Sequence, residues 1–142
     1  MSEVHAAVGL ANLETLDKEI ATRREIAAVY QDVLAQEDGL VLPGAAGNPP
    51  ADPVSYFPLR IRGGERVRDA LLERLVARGI LARRYFFPLV SEFDAFHRAG
   101  VSPAMATPET YRTSREIICL PVHGRMGPED AQRVATAVRD FL

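Results

Sequence analysis

Lysine chemistry has a single candidate in this sequence, because Lys18 is the only lysine and arginine supplies the other strongly basic residues. A lysine that forms an imine with a carbonyl compound needs a neutral amine, which burial or a neighbouring cation provides. Lys18 lies instead between Asp17 and Glu19, whose carboxylates favour the charged ammonium. We therefore expect Lys18 to be a solvated surface residue and the chain to hold no covalent site for a carbonyl cofactor.

Three histidines, His5, His97 and His123, are the next candidates for chemistry. No two of them lie at the close spacing that metal sites use, and Cys119 is the only cysteine. The sequence also lacks a Gly-x-Ser-x-Gly motif and a glycine-rich phosphate loop. We predict no metal site, and we expect His5 in a first helical turn, His97 in a polar loop and His123 in a strand-to-helix turn.

Residues 83–87, called the tract below, are the strongest remaining candidate, since two arginines and three aromatic residues follow one another just before Pro88. Arginine can bind a phosphate through two hydrogen bonds, and aromatic rings can stack against a sugar or a base. The pattern predicts a strand over 80–86, so these side chains would lie at its end and reach into a cleft. The alternative stays open that the tract is an ordinary edge strand whose side chains only pack.

A long helix is predicted at the start of the chain, because residues 2–36 contain no proline and only Gly9. Ser2 is a favourable N-cap, and Glu3 places negative charge at the positive end of the helix dipole. Small and apolar residues recur at a three-four spacing that makes one stripe: Ala6, Gly9, Leu13, Leu16, Ile20, Ala27, Tyr30 and Leu34. A helix of about 34 residues is about 50 Å long, so we expect part of it to contact something outside the fold.

Strands and helices follow this helix, after a loop over 37–52 that is rich in glycine and proline. Hydrophobic periodicity predicts strands over 54–62, 80–86 and 117–122, helices over 65–78, 107–116 and from Gly127, and irregular structure with short helical turns over 88–108. In the first strand Phe57, Leu59 and Ile61 share one face, and Pro58 indicates an edge position or a bulge.

Length and composition exclude several classes of protein. A chain of 142 residues, of which 47% are hydrophobic and 25% charged, fits one globular domain. Its net charge of -2 argues against a nucleic-acid partner, which requires a basic excess. Every apolar run ends before the roughly 18 residues of a membrane helix. A single cysteine and a start without the order of a signal peptide lead us to expect the cytoplasm.

Three segments together resemble the C-terminal region of the DegT/DnrJ/EryC1/StrS family, the pyridoxal-phosphate-dependent aminotransferases of nucleotide-linked keto sugars. They are residues 1–10 with the Leu13, Leu16 and Arg23 positions that follow, the sequence Arg-Arg-Tyr-Phe-Phe-Pro-Leu at 83–89, and Leu-Pro-Val-His at 120–123 with the helix after Gly127. The resemblance implies an α+β fold, the small C-terminal domain of a fold-type-I aminotransferase. That domain has a three-stranded sheet, helices packed on one side and a long N-terminal helix.

The resemblance also implies roles for parts of the chain. Residues 1–36 would be a connecting helix and 37–142 the small α/β domain. The substrate-binding residues would be Arg83, Arg84, Tyr85 and Phe86. The imine lysine and most contacts to pyridoxal 5'-phosphate would lie in a large domain upstream of Met1, so we expect this chain alone to be inactive.

Partners follow from the same resemblance. The connecting helix would leave Ala6, Gly9 and Leu13 partly bare, so a second copy or the large domain would cover them. The chain could be an excised domain, a truncated reading frame or half of a split enzyme. The alternative function is a stand-alone binding or assembly protein derived from this domain.

Overall fold

The computed structural model describes residues 2–44, 55–98, 100 and 107–142. Its first element is helix α1, Glu3–Leu34, which confirms the predicted long helix. The Ser2 hydroxyl accepts a hydrogen bond from the backbone N–H of His5 at 3.4 Å, so Ser2 caps the helix as its side chain predicts. His5 therefore lies in the first turn, where the sequence indicates it.

The two halves of α1 have different surroundings. The C-terminal turns bury Ile26, Ala27, Tyr30 and Leu34 in the core. Large apolar side chains of the N-terminal half are exposed, namely Val4, Val8, Leu10, Leu13 and Leu16. Of the three residues expected to be bare, Gly9 and Leu13 are exposed and Ala6 is half-buried. The helix thus extends beyond the core of the described fold, as its length predicts.

The sheet has three antiparallel strands in the order β1, β2, β3, which are Leu40–Val41, Phe57–Ile61 and Ile117–Leu120. Buried and half-buried residues alternate along β2, so Phe57, Leu59 and Ile61 share the buried face as predicted. Although β2 is the central strand, β1 pairs only with Arg60 and Ile61. Among the residues that the structure describes, Pro58 therefore pairs with β3 alone, and a proline is tolerated there because no second strand needs its missing N–H.

The predicted strand over 80–86 is wrong. Only Arg83 makes a strand-like bridge, through two backbone hydrogen bonds with Cys119 of 3.0 and 2.7 Å. Beyond Arg83 the chain turns away from the sheet, because the ring of Phe87 packs against arginines of two helices. The third strand is instead β1, which lies within the segment predicted to be a loop; residues 45–54 of that region lie outside the described residues.

The remaining helices lie close to their predicted positions. Within the described residues they are α2 at Gly64–Ala77, a 3₁₀ turn at Val90–Glu92, α3 at Asp94–Arg98, α4 at Pro108–Glu116 and α5 at Pro128–Arg139. Gly79 has φ of +72° just after α2, a conformation that favours glycine and ends the helix as predicted. His97 lies in α3 and not in a loop, which corrects the expectation for this residue.

The core joins the end of α1 to α5 and the buried face of the sheet. Helix α5 contributes Ala131, Val134, Ala135 and Val138, on the apolar face that the sequence indicates. The hydroxyl of the buried Tyr30 donates to the carbonyl oxygen of Pro121 at 2.8 Å, and burial raises the pKa of Tyr30 above its ordinary value. Within the described ranges, no helix is both long and apolar enough to cross a membrane.

Candidate functional site

The first half of the tract forms an aromatic turn directly after the Arg83 bridge. A guanidinium N–H of Arg83 donates to the Tyr85 hydroxyl at 3.1 Å. The Tyr85 ring meets Tyr56 edge-on, with centroids 5.7 Å apart, and stacks on Phe86 at 5.4 Å. Arg83 is exposed and Phe86 is 69% exposed, so ring contacts hold this turn while its polar groups remain open to solvent.

Two clefts flank Tyr85. The Arg83 cleft, of about 320 Å³, is lined in part by Tyr56, Arg83, Tyr85, Cys119 and His123. It combines one exposed guanidinium, an imidazole and two phenol rings, which suits an anionic ligand that carries a ring.

The second cleft, called the α4 cleft, has a volume of about 390 Å³. Tyr85, Phe86 and Leu89 form one wall, and Glu109, Thr110 and Thr113 of α4 are among the residues of the other. Hydroxyl and carboxylate groups opposite apolar side chains are typical of a site for a neutral, hydroxyl-bearing ligand such as a sugar. The structure thus places Tyr85 between two clefts of different character.

The second half of the tract is fixed in a cluster of charges around Phe87. The guanidinium carbons of Arg84, Arg115 and Arg68 lie 4.7, 4.8 and 5.2 Å from the centre of the Phe87 ring. Three carboxylates bind these arginines. The Phe87 cluster is defined here as Phe87, Arg68, Arg84, Arg115, Glu65, Asp69 and Glu92.

The four predicted site residues therefore separate into two groups. Arg83, Tyr85 and Phe86 line the clefts, whereas the Arg84 guanidinium faces Asp69 at 3.5 Å and the Phe87 ring. The chain turns after Arg83, so the strict alternation of an edge strand does not apply to these side chains.

The buried thiol of Cys119 forms part of the floor of the Arg83 cleft. Burial raises the pKa of Cys119 to about 11, and a hydrogen bond that the sulfur accepts from the backbone of Tyr85 offsets this only in part. At neutral pH the thiol is therefore protonated and is a poor nucleophile.

Of the other residues considered for chemistry, His123 lines the Arg83 cleft, whereas Lys18 lies apart from the tract. The exposed Nδ1 of His123 accepts a hydrogen bond from the N–H of Arg125 at 3.3 Å, in the turn where the sequence indicates it. Among the described residues, no group of three or more His, Cys, Asp and Glu side chains could hold a metal ion. Lys18 is exposed on α1 and is not among the residues that line either cleft.

Sequence reasoning missed Arg68, Arg115 and Tyr56. Arg68 had a signal, because it falls on the stripe of α2 that continues through Leu71 and Leu75, where an arginine is unexpected. Its burial at 0% exposure indicates that it binds groups of other elements. Arg115 and Tyr56 had no such signal.

Comparison with known proteins agrees with this fold. The sequence profile of the DegT/DnrJ/EryC1/StrS aminotransferase family matches residues 1–139. A dTDP-4-amino-4,6-dideoxy-D-glucose transaminase of Escherichia coli is 30% identical, with 91% of this chain and 35% of that protein covered. The protein of the same name from Shigella dysenteriae is 28% identical, with 99% and 38% covered.

A solved structure gives the same result. The crystal structure of S. venezuelae DesV in complex with a ketimine intermediate is 32% identical with a TM-score of 0.81, and 96% of this chain and 35% of that one are covered. The chain therefore spans about a third of the length of the relatives it matches. Because the family profile extends over nearly the whole chain, the chain belongs to the DegT/DnrJ/EryC1/StrS aminotransferase family.

Proposed function

We propose that this chain forms the small-domain portion of an aminotransferase that transfers an amino group to a nucleotide-linked keto sugar. In this proposal Arg83, Tyr85 and Phe86 form the substrate-side wall, and Arg84, the fourth predicted site residue, supports it through Phe87. The observation that carries it is the position of Tyr85 between the Arg83 cleft and the α4 cleft. The E. coli and Shigella relatives, both named as dTDP-sugar transaminases, support the substrate class.

Each cleft offers the chemistry that one part of such a substrate requires. The exposed guanidinium of Arg83 can donate charge-assisted hydrogen bonds to a diphosphate, worth about 1.5 to 3 kcal/mol each. The Tyr85 hydroxyl accepts from Arg83 and can donate its own proton to a sugar oxygen. Phe86 offers a largely exposed ring to the face of the sugar or base. Arg84 supports this wall from the Phe87 side.

The cofactor of the proposed reaction is pyridoxal 5'-phosphate, which supplies an electron sink for amino transfer when it is bound. The described residues of this chain do not fit its covalent site, because Lys18 is exposed on α1 and both clefts are lined by other residues. We therefore place the imine lysine outside this chain and expect the chain alone to be inactive. Reduction with borohydride after incubation with the cofactor should leave only trace labelling, whereas a stoichiometric adduct at Lys18 by intact mass would contradict this.

The proposal also includes a partner for α1, with residues 1–36 acting as the connecting helix and 37–142 as the small domain. The exposed side chains of Val4, Val8 and Leu13 support a covering surface, either the large domain or a second copy in a homodimer. The same exposed side chains favour the second candidate function, a stand-alone assembly protein. A cytoplasmic location is part of the proposal and is consistent with the lone, buried and unpaired cysteine.

A chimeric enzyme tests the proposal. This chain replaces the matched third of the E. coli relative. Amino transfer is assayed in the reverse of the proposed direction, from dTDP-4-amino-4,6-dideoxy-D-glucose to a 2-oxo acid, with formation of the keto sugar as the readout. A chimera with the Shigella segment at the same junctions is the matched control for the splice. We expect both folded chimeras to transfer the amino group. A folded but inactive chimera with this chain, beside an active control, would favour the assembly protein.

A further inference from the structure

We propose that Arg68 and Arg115 are positioning residues, which fix Phe87 so that Tyr85 and Phe86 keep their places between the two clefts. This inference rests on the function proposed above. Neither arginine lines the Arg83 cleft or the α4 cleft. Each instead contacts the Phe87 ring from a helix, Arg68 from α2 and Arg115 from α4.

Arg68 is fully buried, and each nitrogen of its guanidinium group donates a hydrogen bond. Its Nη1 donates to the carbonyl oxygens of Ser114 and Ile117, at 3.0 and 3.3 Å. Its Nε donates to Asp69 at 2.6 Å and its Nη2 to Glu65 at 3.4 Å. A planar group with fixed donors can satisfy all these acceptors in one orientation only, so Arg68 ties α2 to the start of β3 and defines one side of the Phe87 ring.

Arg115 approaches the ring from the other helix. Its Nη1 donates to Glu65 at 3.1 Å and its Nη2 donates to Glu92. Glu92 in turn accepts from the backbone N–H of Leu89 at 2.7 Å, two residues beyond Phe87. The guanidinium lies over both the Phe87 and the Tyr111 rings, each at 4.8 Å. Arg115 therefore holds the backbone after the tract as well as the ring within it.

The charges of the Phe87 cluster indicate a structural task. Its three arginines meet three carboxylates, so the cluster offers a substrate anion little net positive charge. Arg83 lies outside the cluster and donates to Tyr85. Phe87 is separated from Tyr85 by the single residue Phe86, which stacks on the Tyr85 ring, so displacement of Phe87 moves that stack.

Tyrosine NMR on the complete chain reports this coupling without any substrate. The chain has four tyrosines, and Tyr85→Phe assigns the Tyr85 ring signals. We expect Arg115→Met to shift the Tyr85 ring signals towards those of an unstacked ring, while Tyr30 in the core keeps its signals. The matched control is Arg66→Met, an exposed arginine of α2 that lines neither cleft, and it should leave Tyr85 unchanged. Unmoved Tyr85 signals in a folded Arg115→Met chain would overturn the proposal.

Two further variants keep the test decisive if Arg115→Met does not fold. Arg115→Lys retains the charge but loses the planar fork, and Phe87→Leu retains an apolar side chain but removes the ring. Both should shift Tyr85, and Arg115→Lys should shift it less than Phe87→Leu. If neither variant moves Tyr85 in a folded chain, the arginines do not position the tract.

Kinetics of the chimera separate this inference from the proposed function. In an active chimera, Arg115→Met should raise KM for the nucleotide sugar about tenfold with a smaller change in kcat, and Arg66→Met should change neither. An unchanged KM would overturn the positioning role even if the Tyr85 signals move. An inactive wild-type chimera beside its active control would count against the proposed function alone, because the NMR result does not depend on it.

Discussion

The Phe87 side of the tract is held by charge-assisted hydrogen bonds, whereas the Tyr85 side is held by ring contacts and one bond from Arg83. Arg68 is fully buried on the first side, and Arg83 and Phe86 are exposed on the second. Five residues thus combine a fixed anchor with an open surface. The difference indicates how a short turn can be rigid enough to define a site and still present polar groups and rings to a ligand.

The free energies of the interactions explain why the Phe87 side and the Tyr85 side can have separate roles. A hydrogen bond to a charged group contributes about 1.5 to 3 kcal/mol to stability, and its loss leaves a buried partner unsatisfied. An exposed ion pair contributes only about 0 to 1 kcal/mol. Substitutions on the Phe87 side should therefore lower stability, and substitutions on the Tyr85 side should lower binding.

The largest effect on stability is expected for Arg68→Ala. The substitution removes the partner of two backbone carbonyls and of Asp69 and leaves a cavity, so the free energy of unfolding should fall by about 3 kcal/mol. Urea unfolding of the complete chain measures this. Arg66→Ala, an exposed arginine of the same helix, should change the value by less than about 0.5 kcal/mol. An equal loss of unfolding free energy in the two variants would contradict the stabilising role assigned to the Phe87 side.

The second effect concerns the floor of the Arg83 cleft and depends on pH. Burial raises the pKa of the Cys119 thiol from 9.0 to about 11. The native state thus holds its proton more tightly than the unfolded state, so the contribution to stability is complete below about pH 9 and is lost as pH rises towards 11. Between pH 8 and 10 the wild type should lose about 1.4 kcal/mol more than Cys119→Ala. If the free energy of unfolding changes with pH in the same way in both proteins, the Cys119 thiol is open to water in the native state.

The smallest effect distinguishes the two adjacent arginines of the tract. Arg84→Ala removes an interaction with Asp69 and a contact with Phe87, and should lower the free energy of unfolding by about 0.5 to 1 kcal/mol. Arg83→Ala on the exposed side should change it by less than about 0.5 kcal/mol. Thermal and urea unfolding of both variants check this order, and the reverse order would contradict the assignment of Arg84 to the Phe87 side.

Much of the fold could be predicted from the sequence because its helices carry their own signals. The N-cap of α1, the glycine after α2 and the proline at the start of α4 mark helix ends through local interactions. The prediction of a strand over 80–86 was wrong because its conformation depends on contacts with distant residues. Its apolar residues fit either a strand or a turn, and contacts between Phe87 and distant arginines decide between them.

Only the exposed Tyr85 side of the candidate site could be predicted from the sequence. Arginines and aromatic residues adjacent in sequence identified the tract, since its chemistry is local. Arg68 depends on carbonyl groups that lie 46 and 49 residues further along the chain, and Tyr56 meets Tyr85 only through the fold. Periodicity cannot indicate which distant group satisfies a buried charge.

The most direct test of the central claim is the kinetic effect of Arg83→Ala and Tyr85→Phe in the active chimera. Both residues line the Arg83 cleft and contact each other, so each substitution should lower kcat/KM for the nucleotide sugar by about tenfold or more without lowering the melting temperature. Arg66→Ala on α2, an exposed arginine that lines neither cleft, is the matched control and should leave kcat/KM unchanged. If both variants lose thermal stability and keep their kcat/KM, the tract is structural and the substrate binds elsewhere.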